Sequence, residues 1–376
     1  MFWTLLQFIL AFGVILFLHE LGHFISAKAF GVEVEEFGFG LPPRIVKLFT
    51  WKGTDFTLNC LPFGAFVKPK GEFDGDDSLE GGFKSAKPWQ QLIIYFAGPL
   101  MNLVTLIVIL MVIAQVVGIP DSSMVLIDRV LPDSPALDAG LKAGDVIYRI
   151  DDRKIDSIDA AVTAIYRKAG GKIEIEVSRD GEILTLDAKT LAVVPADRGP
   201  LGVELTNPMM KVSFVQGVQI GIQDSFSMIT SYLRGLGMLF TGQINLGEGL
   251  VGPVGIYSMF ADVAEIDAEA AKREADRQER IEAGEEIAEN SSAAERLPWY
   301  NRLMFLAMIS MAVGISNLLP IPALDGGRIL LLIPELIFKK SVPAKVEVWL
   351  NTVGMILVLG LSVFLIFKDV LKLVVG

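Results

Sequence analysis

Residues 1–24 read MFWTLLQFILAFGVILFLHELGHF, an almost continuous apolar run that ends with two histidines around a glutamate. A helix needs about 20 apolar residues to cross the hydrocarbon core of a bilayer. A cleavable signal peptide would begin with a basic residue and end at a small-residue cleavage site. The first basic residue of this chain is Lys28, and no such site follows the apolar run. We therefore expect residues 1–27 to form a retained transmembrane helix.

The HELGH sequence at 19–23 fits the pattern H-E-x-x-H. Residues four apart share one face of a helix, so the imidazoles of His19 and His23 can bind one metal ion. Zinc accepts two nitrogen ligands and one carboxylate and keeps a fourth position for water. Glu20 is then the expected catalytic residue, which takes a proton from that water. The alternative is that two histidines lie four apart by accident, but an idle glutamate inside an apolar span is costly.

Asp325 is the candidate for a third zinc ligand. It lies in the run SNLLPIPALDGGR, near the end of another apolar segment further along the chain, 300–328. At a rise of about 1.5 Å per residue, Asp325 and the histidine pair reach a similar depth if both helices start on the same side of the membrane. Asp-Gly-Gly is also a common turn, so a helix-end turn is the alternative. The sequence predicts one Zn²⁺ per chain, held by His19, His23 and Asp325.

The composition is too apolar for an ordinary soluble protein, with 52% hydrophobic residues and a mean hydropathy of +0.51. A net charge of −11 argues against a nucleic acid as the main partner. Cys60 is the single cysteine, so no intrachain disulfide can form. The lipid bilayer is the expected surrounding. Four segments are long and apolar enough to span it: 1–27, 91–118, 300–328 and 349–374.

The segments between the predicted spans differ in character. Strand-like alternation with Gly and Pro punctuation predicts a membrane-associated β region over 28–90. Residues 121–207 lose the hydrophobic bias and predict a soluble α/β domain, with a hairpin around Asp180-Gly181. Residues 208–261 mix apolar and small polar residues, which favours an interfacial, amphipathic region over a further span. Residues 262–297 are rich in acidic side chains and predict an acidic linker, for which a solvated helix and a disordered segment are the two alternatives.

The order of elements in 121–207 resembles a circularly permuted bacterial PDZ domain. Such domains capture a peptide terminus or strand by adding it to a sheet edge. We expect the capturing loop to be GPLGV (199–203), which contains Gly199, Leu201 and Gly202. An ordinary surface turn is the alternative for this loop.

The predicted fold class is a mostly α-helical polytopic membrane protein with about four transmembrane helices, a membrane-associated β-sheet and one periplasmic PDZ-like α/β domain. Its orientation follows from basic residues, which concentrate in cytoplasmic loops. Many Lys and Arg residues lie in 28–90 and in 328–348, whereas none precedes Lys28. These loops are therefore expected in the cytoplasm. The bacterial inner membrane is the predicted location, with the active site toward its cytoplasmic side.

Four stretches together resemble the site-2 proteases, peptidase family M50, in the branch of the bacterial regulator-of-sigma-E protease. Besides HELGH, they are LPFGAFVKPKGE (61–72), FAGPLMN (96–102) and NLLPIPALDGGR (317–328). The resemblance implies regulated intramembrane proteolysis of single-span membrane proteins, typically an anti-sigma factor already trimmed by another protease. Some members carry two tandem PDZ domains, whereas this chain has room for one.

The same motifs contain candidate substrate-binding residues. Pro320 and Pro322 interrupt the third predicted span and free backbone groups that could pair with an extended substrate. Asn102 and Asn317 could hydrogen-bond the substrate or the oxyanion. For both asparagines the alternative is a hydrogen bond to a neighbouring helix.

Two other functions would each account for part of the sequence. A transporter or metal-handling membrane protein would explain polar residues within spans but does not need a carboxylate base beside a ligand. A membrane-anchored PDZ adaptor would explain 121–207 but leaves HELGH without a role. The metalloprotease is favoured because it uses both features.

Overall fold

A computed structural model describes residues 2–71, 80–193, 199–282 and 299–375. The chain divides into two compact units. The first consists of residues 1–112, 218–266 and 301–376, and the second of residues 113–217 and 267–300.

The described residues form helices that differ widely in length. In chain order they are α1 (Phe2–Ala29), α2 (Pro88–Val117), α3 (Pro135–Asp138), α4 (Ile158–Arg167), α5 (Phe214–Phe240), α6 (Leu246–Gly249), α7 (Pro253–Glu282), α8 (Tyr300–Asn317), α9 (Asp325–Phe338) and α10 (Ala344–Val375). The strands are β1 (Val34–Trp51), β2 (Thr54–Pro69), β3 (Ile119–Pro120), β4 (Val125–Val130), β5 (Val146–Ile150), β6 (Arg153–Lys154), β7 (Lys172–Arg179), β8 (Glu182–Lys189), β9 (Val203–Thr206) and β10 (Met209–Met210).

Among the described residues, three helices are long and apolar enough to cross a membrane. They cover Phe2–Ala29, Pro88–Val117 and Lys345–Lys372. Each of them is apolar around its whole circumference, as a membrane-spanning helix is. The chain is therefore described as a membrane protein with three candidate spans.

The segment 300–328 forms two helices rather than one. Helix α8 has only 18 residues, begins with Tyr300, Asn301 and Arg302, and ends at Asn317. A break containing Pro320 and Pro322 follows, and α9 begins at Asp325. Proline lacks a backbone N–H and clashes with the preceding turn, which explains the interruption. A fourth span in this region stays a prediction.

Between the first two candidate spans, β1 and β2 form a long antiparallel hairpin. Its turn contains Lys52 and Gly53, both with positive φ, as a tight hairpin turn requires. Aromatic rings pack the hairpin against α1: Phe24 contacts Phe37 and Phe56, with ring centroids 5.5 Å and 5.7 Å apart. The hairpin lies within 28–90, where alternation predicts a sheet.

The second unit contains a sheet in the strand order β8-β7-β5-β4-β9, with β6 paired to β5. The predicted hairpin around Asp180-Gly181 is present as β7 and β8. Ser134 and Ser157 cap α3 and α4, each accepting a backbone N–H three residues on. The core consists mainly of β-branched and other aliphatic side chains on the sheet and on α4.

A buried ion pair fixes one corner of this sheet. Asp145 is fully buried. The Arg179 Nε and Nη2 atoms lie 2.6 Å and 2.7 Å from its two carboxylate oxygens. This paired carboxylate raises the pKa of Arg179 above its ordinary value. The fork-like geometry satisfies both oxygens of a carboxylate that has no access to water.

After this sheet, the helices do not begin and end at the bounds of the predicted segments 208–261 and 262–297. The predicted interfacial region 208–261 contains β10, α5, α6 and the start of α7. Helix α7 continues into the predicted acidic linker as far as Glu282. The remainder of that linker, 283–297, lies outside the described residues.

Candidate metal centre

Three metal-binding side chains meet within the first unit. Helix α1 carries His19 and His23 one turn apart, and Asp325 is the first residue of α9. The Nε2 atom of His19 lies 3.1 Å from Asp325 Oδ2 and 3.2 Å from His23 Nε2. The His23 Nε2 and Asp325 Oδ2 atoms are 3.4 Å apart. Among the described residues these three form the one group of this kind that could hold a metal ion.

The triangle of atoms fits a zinc ion. Ligand atoms about 2.0–2.2 Å from a tetrahedral zinc lie roughly 3.3–3.6 Å from one another. The three observed separations, 3.1, 3.2 and 3.4 Å, are close to that edge length. Two imidazoles and one carboxylate are also a donor set that zinc prefers in catalytic sites. The residues present therefore suit zinc in both geometry and chemistry.

The His23 ring is oriented by α2. Its Nδ1 atom donates a hydrogen bond to the Ile94 carbonyl at 2.7 Å, which leaves Nε2 free to act as a ligand. One turn further along α2, Gly98 lies directly against the ring, and a Cβ atom there would be 2.6 Å from His23 Cε1. On α1, a Cβ at Gly22 would lie 2.7 Å from the Ala97 carbonyl carbon. Two glycines thus let the helices approach closely enough to hold His23.

The His19 ring is oriented by Asn102, which is fully buried. The Asn102 side-chain nitrogen lies 3.3 Å from His19 Nδ1, while its oxygen has no partner. An amide's oxygen and nitrogen are assigned from their surroundings. A histidine that binds metal through Nε2 carries its proton on Nδ1 and needs an acceptor there. The orientation that suits a metal therefore turns the Asn102 oxygen toward His19, and this gives the unpartnered atom a partner.

Asp325 is placed by the break between α8 and α9. Ala323 has φ +77°, a strained conformation for a residue with a side chain. The backbone of the break packs against the two glycines after Asp325, since a Cβ at Gly327 would lie 2.7 Å from the Ile321 carbonyl carbon. Any other residue at Gly326 would collide with the carbonyls of Leu318 and Leu319. Close packing of the break therefore requires glycine at both positions after Asp325.

Glu20 shares a cavity with the three candidate ligands. This cavity measures about 790 Å³ and is lined by α1, by residues 66–69 of β2, and by the start of α9. The Val67 backbone N–H donates a hydrogen bond of 3.0 Å to Glu20 Oε2. A carboxylate beside two histidines of one cavity can accept a proton from a water molecule held there.

Residues 7–273 and 280–361 match Peptidase family M50. The chain belongs to peptidase family M50. The predicted site-2 protease family is thereby confirmed, and the M50 protein is a zinc metalloendopeptidase.

Relatives of the M50 peptidase match over nearly its whole length. A Clostridium perfringens protein named as a zinc metalloprotease is 33% identical, covering 96% of this chain and 97% of that protein. The Bacillus subtilis regulator of sigma-W protease RasP is 25% identical, covering 98% of this chain and 99% of that protein. A PDZ domain of the SdrC-like protein of Listeria monocytogenes is 27% identical and covers 22% of this chain and 85% of that chain, with a TM-score of 0.20.

The M50 peptidase brings together most, but not all, of the residues singled out from its sequence. His19, Glu20, His23, Asp325 and Asn317 line one cavity. Three predicted substrate-binding residues do not line this cavity: Asn102, Pro320 and Pro322. Asn102 lies behind His19, so its position favours orienting that ligand over touching a substrate. The two prolines shape the break that carries Asp325.

Other residues that line the cavity are not among those predicted from the sequence. Val67 contributes a backbone N–H, for which the sequence offers no signal. Arg328 and Tyr95 also line the cavity, with the guanidinium 5.5 Å from the centre of the Tyr95 ring. Arg328 could have been found, because it follows Asp325 by three residues and so shares its helix face.

In the second unit, a cleft of about 200 Å³ lies between α4 and the chain leading into β9. Gly199, Leu201 and Gly202, the predicted capturing loop, line it together with Val162 and Tyr166 of α4. Gly202 has φ +77°, and a Cβ there would collide with Ser134. The loop and the helix thus enclose a mostly apolar groove next to a strand.

Proposed function

We propose that this M50 peptidase hydrolyses peptide bonds of single-span membrane proteins within or near the bilayer. One observation carries the proposal: the Nε2 atoms of His19 and His23 and a carboxylate oxygen of Asp325 meet at 3.1–3.4 Å in a cavity that also contains Glu20. His19, Glu20 and His23 stand on a helix that is apolar enough to cross a membrane.

His19, His23 and Asp325 would hold one zinc ion per chain, which supplies a Lewis acid that lowers the pKa of the attacking water toward about 7. Glu20 accepts the proton that this water loses and returns it to the leaving nitrogen as the peptide bond breaks. Asn102 and the Ile94 carbonyl keep the two imidazoles in the orientation that exposes Nε2. The Val67 N–H keeps the Glu20 carboxylate at the wall of the cavity.

The substrate segment must be extended at the cleaved bond, because helical carbonyls are already hydrogen-bonded and shielded. Residues 66–69 of β2 line the cavity, and the Val67 N–H points away from β1 toward Glu20. A substrate strand can be added along this edge, with backbone hydrogen bonds supplying affinity. Asn317 lies on the same cavity and is placed to bind the substrate backbone. The break that contains Pro320 and Pro322 would lie beside this extended substrate segment.

The finer assignment follows the residue pattern. If the chain has the four predicted spans, with its basic loops in the cytoplasm, the active site would lie toward the cytoplasmic side of a bacterial inner membrane. The second unit would then be periplasmic, and its groove at Gly199–Leu201 would take a peptide end or strand, as PDZ domains do. The name of the relative RasP, regulator of sigma-W protease, connects that protein with a sigma factor. For this chain, the resemblance to site-2 proteases implies anti-sigma-factor-like substrates that another protease has trimmed first.

The test is a Glu20→Gln variant compared with a matched Glu182→Gln variant. Glu182 is exposed on the β7–β8 hairpin and does not line the cavity. Both variants lose one carboxylate. In membranes, Glu20→Gln is expected to keep its zinc and to leave single-span substrates uncut, while Glu182→Gln cuts normally. Quantitative comparison of membrane proteins should then show substrates accumulating only in the first. Undiminished cleavage by Glu20→Gln would overturn the proposed role of Glu20.

A further inference from the structure

Helix α5 follows the second candidate span along its length. A Cβ at Gly217 would lie 3.2 Å from Gln115 Cδ, and one at Gly221 would lie 3.0 Å from the Ile107 carbonyl. As α5 advances, its contacts on α2 move backwards along the chain, so the two helices run antiparallel. Further on, the Tyr232 hydroxyl lies 3.1 Å from Ser316 Oγ at the end of α8.

These contacts show how far α5 extends toward the level of the candidate zinc ligands. From Gly217 to Tyr232 the helix extends about 22 Å. From Gln115, the partner of Gly217, back to Asn102 the span α2 covers about 20 Å. Asn102 contacts the metal ligand His19, and Ser316 precedes Asn317 of the same cavity. The lengths along α5 and α2, and the contact of Tyr232 with Ser316, therefore both place Tyr232 at the depth of the candidate zinc ligands.

The inner face of α5 is built as membrane helix interfaces are. Gly217, Gly221 and Ser225 recur every fourth residue and are all buried. Small residues at this spacing let helix backbones pack closely in a bilayer, where the hydrophobic effect does not drive helices together. Beyond them, larger residues of the same face pack into a cluster with α2 and α8: Met228, Ile229, Tyr232 and Leu236.

Two exposed stripes share the rest of the helix. One is apolar and contains Val215, Ile222, Phe226, Leu233 and Phe240. Phe226 is 70% exposed, Val215 64% and Ile222 53%. At about 100° per residue, the other stripe contains Gln216, Gln219, Gln223, Ser227 and Arg234, which are also exposed.

We propose that α5 is embedded in the membrane lengthwise, against α2 and α8, with its apolar stripe in contact with lipid acyl chains and its polar stripe facing water. Acyl chains are the occupant because α5 runs beside a helix of membrane-spanning length down to the ligand depth. Exposed Phe and Ile side chains at that depth meet hydrocarbon. Gln and Arg side chains are costly in hydrocarbon, so that stripe must border an aqueous space.

This position changes the interpretation of 208–261, where the sequence predicts an interfacial helix. A helix in the membrane plane would hold all residues of one stripe at equal depth. A lengthwise helix carries successive residues deeper, by about 16 Å from Val215 to Phe226. Depth along the apolar stripe therefore separates the two arrangements, whereas simple protection of that stripe would not.

The experiment places a nitroxide label on single cysteines in full-length protein whose Cys60 is replaced by serine. The variants are Val215→Cys, Ile222→Cys and Phe226→Cys on the apolar stripe, with Gln223→Cys as the matched neighbour of Ile222 on the polar stripe. In phosphatidylcholine vesicles, collision with oxygen and with a water-soluble nickel chelate gives the immersion depth of each label.

The expected result is a depth that increases from Val215→Cys to Ile222→Cys to Phe226→Cys. The label at Gln223→Cys should collide with the nickel chelate at least fivefold more often than the label at Ile222→Cys. Equal depths at the three apolar positions would overturn the lengthwise arrangement. A label at Gln223→Cys that the chelate cannot reach would overturn the aqueous stripe. Neither outcome depends on catalysis, so the role of Glu20 is tested separately.

Discussion

Gly98→Ala should inactivate the zinc site without removing any ligand. The added methyl carbon would lie 2.6 Å from His23 Cε1, whereas carbon atoms in contact are at least about 3.5 Å apart. The ring cannot simply rotate away, because its Nδ1 is hydrogen-bonded to the Ile94 carbonyl. Either His23 or the whole of α2 must therefore retreat by roughly 1 Å. A displacement of about 1 Å in a catalytic site can cost about a hundredfold in rate.

The assay measures cleavage of a single-span substrate in vesicles together with zinc content. We expect about a hundredfold lower kcat/KM for Gly98→Ala and reduced zinc occupancy. Gly13→Ala is the matched control on α1, since a Cβ at Gly13 meets nothing within 4 Å. It should keep its activity, because alanine favours a helix over glycine by about 1 kcal/mol. Activity of Gly98→Ala within threefold of the control would refute the steric reasoning.

Three further changes test the site and the second unit. Asn102→Ala should weaken zinc binding by about 10–100-fold in a chelator competition, and Asn102→Asp should restore part of it as an acceptor for His19; unchanged affinity would contradict the orienting role. Removal of metal by a chelator should abolish cleavage and added zinc should restore it, so persistent cleavage by metal-free protein would contradict the zinc mechanism. Arg179→Ala leaves Asp145 buried and uncompensated and should destabilise the second unit by about 3–5 kcal/mol in proteolysis-monitored urea unfolding. Arg129→Ala breaks only an exposed pair and should cost less than about 1 kcal/mol, so equal losses would refute the difference in burial.

The candidate metal ligands could be proposed from the sequence because local spacing sets the positions of the two histidines. His19 and His23 share a face of α1 whatever the rest of the chain does. Asp325 could be added because membrane thickness converts sequence distance into depth. The partners that orient them, the Ile94 carbonyl and Asn102, depend on how α1 and α2 cross. That crossing is fixed by Gly22 and Gly98, whose importance shows only once the helices are packed.

The fold was predictable to a similar extent. The hairpin around Asp180-Gly181 followed from turn chemistry, and apolar runs indicated the three candidate spans. The split of 300–328 into α8 and α9 is explained by Pro320 and Pro322, although the sequence alone does not give the packing of the break. The packing of α5 against α2 at Gly217 and Gly221 was the feature hardest to predict from the sequence. The Gln, Ser and Arg residues of α5 lower its hydropathy, so apolar length alone does not indicate this contact.

The separation of the candidate zinc ligands along the chain has a consequence for how the protease would mature. His19 and Asp325 are 306 residues apart in sequence. A nascent polypeptide that has inserted only its first helices owns two imidazoles but lacks the carboxylate, so it holds metal weakly. Since metal binding and folding share one free energy, tight capture must wait until the C-terminal third has been synthesised and docked. If His19, His23 and Asp325 are the zinc ligands, an unfinished chain would lack proteolytic activity because its metal site is incomplete.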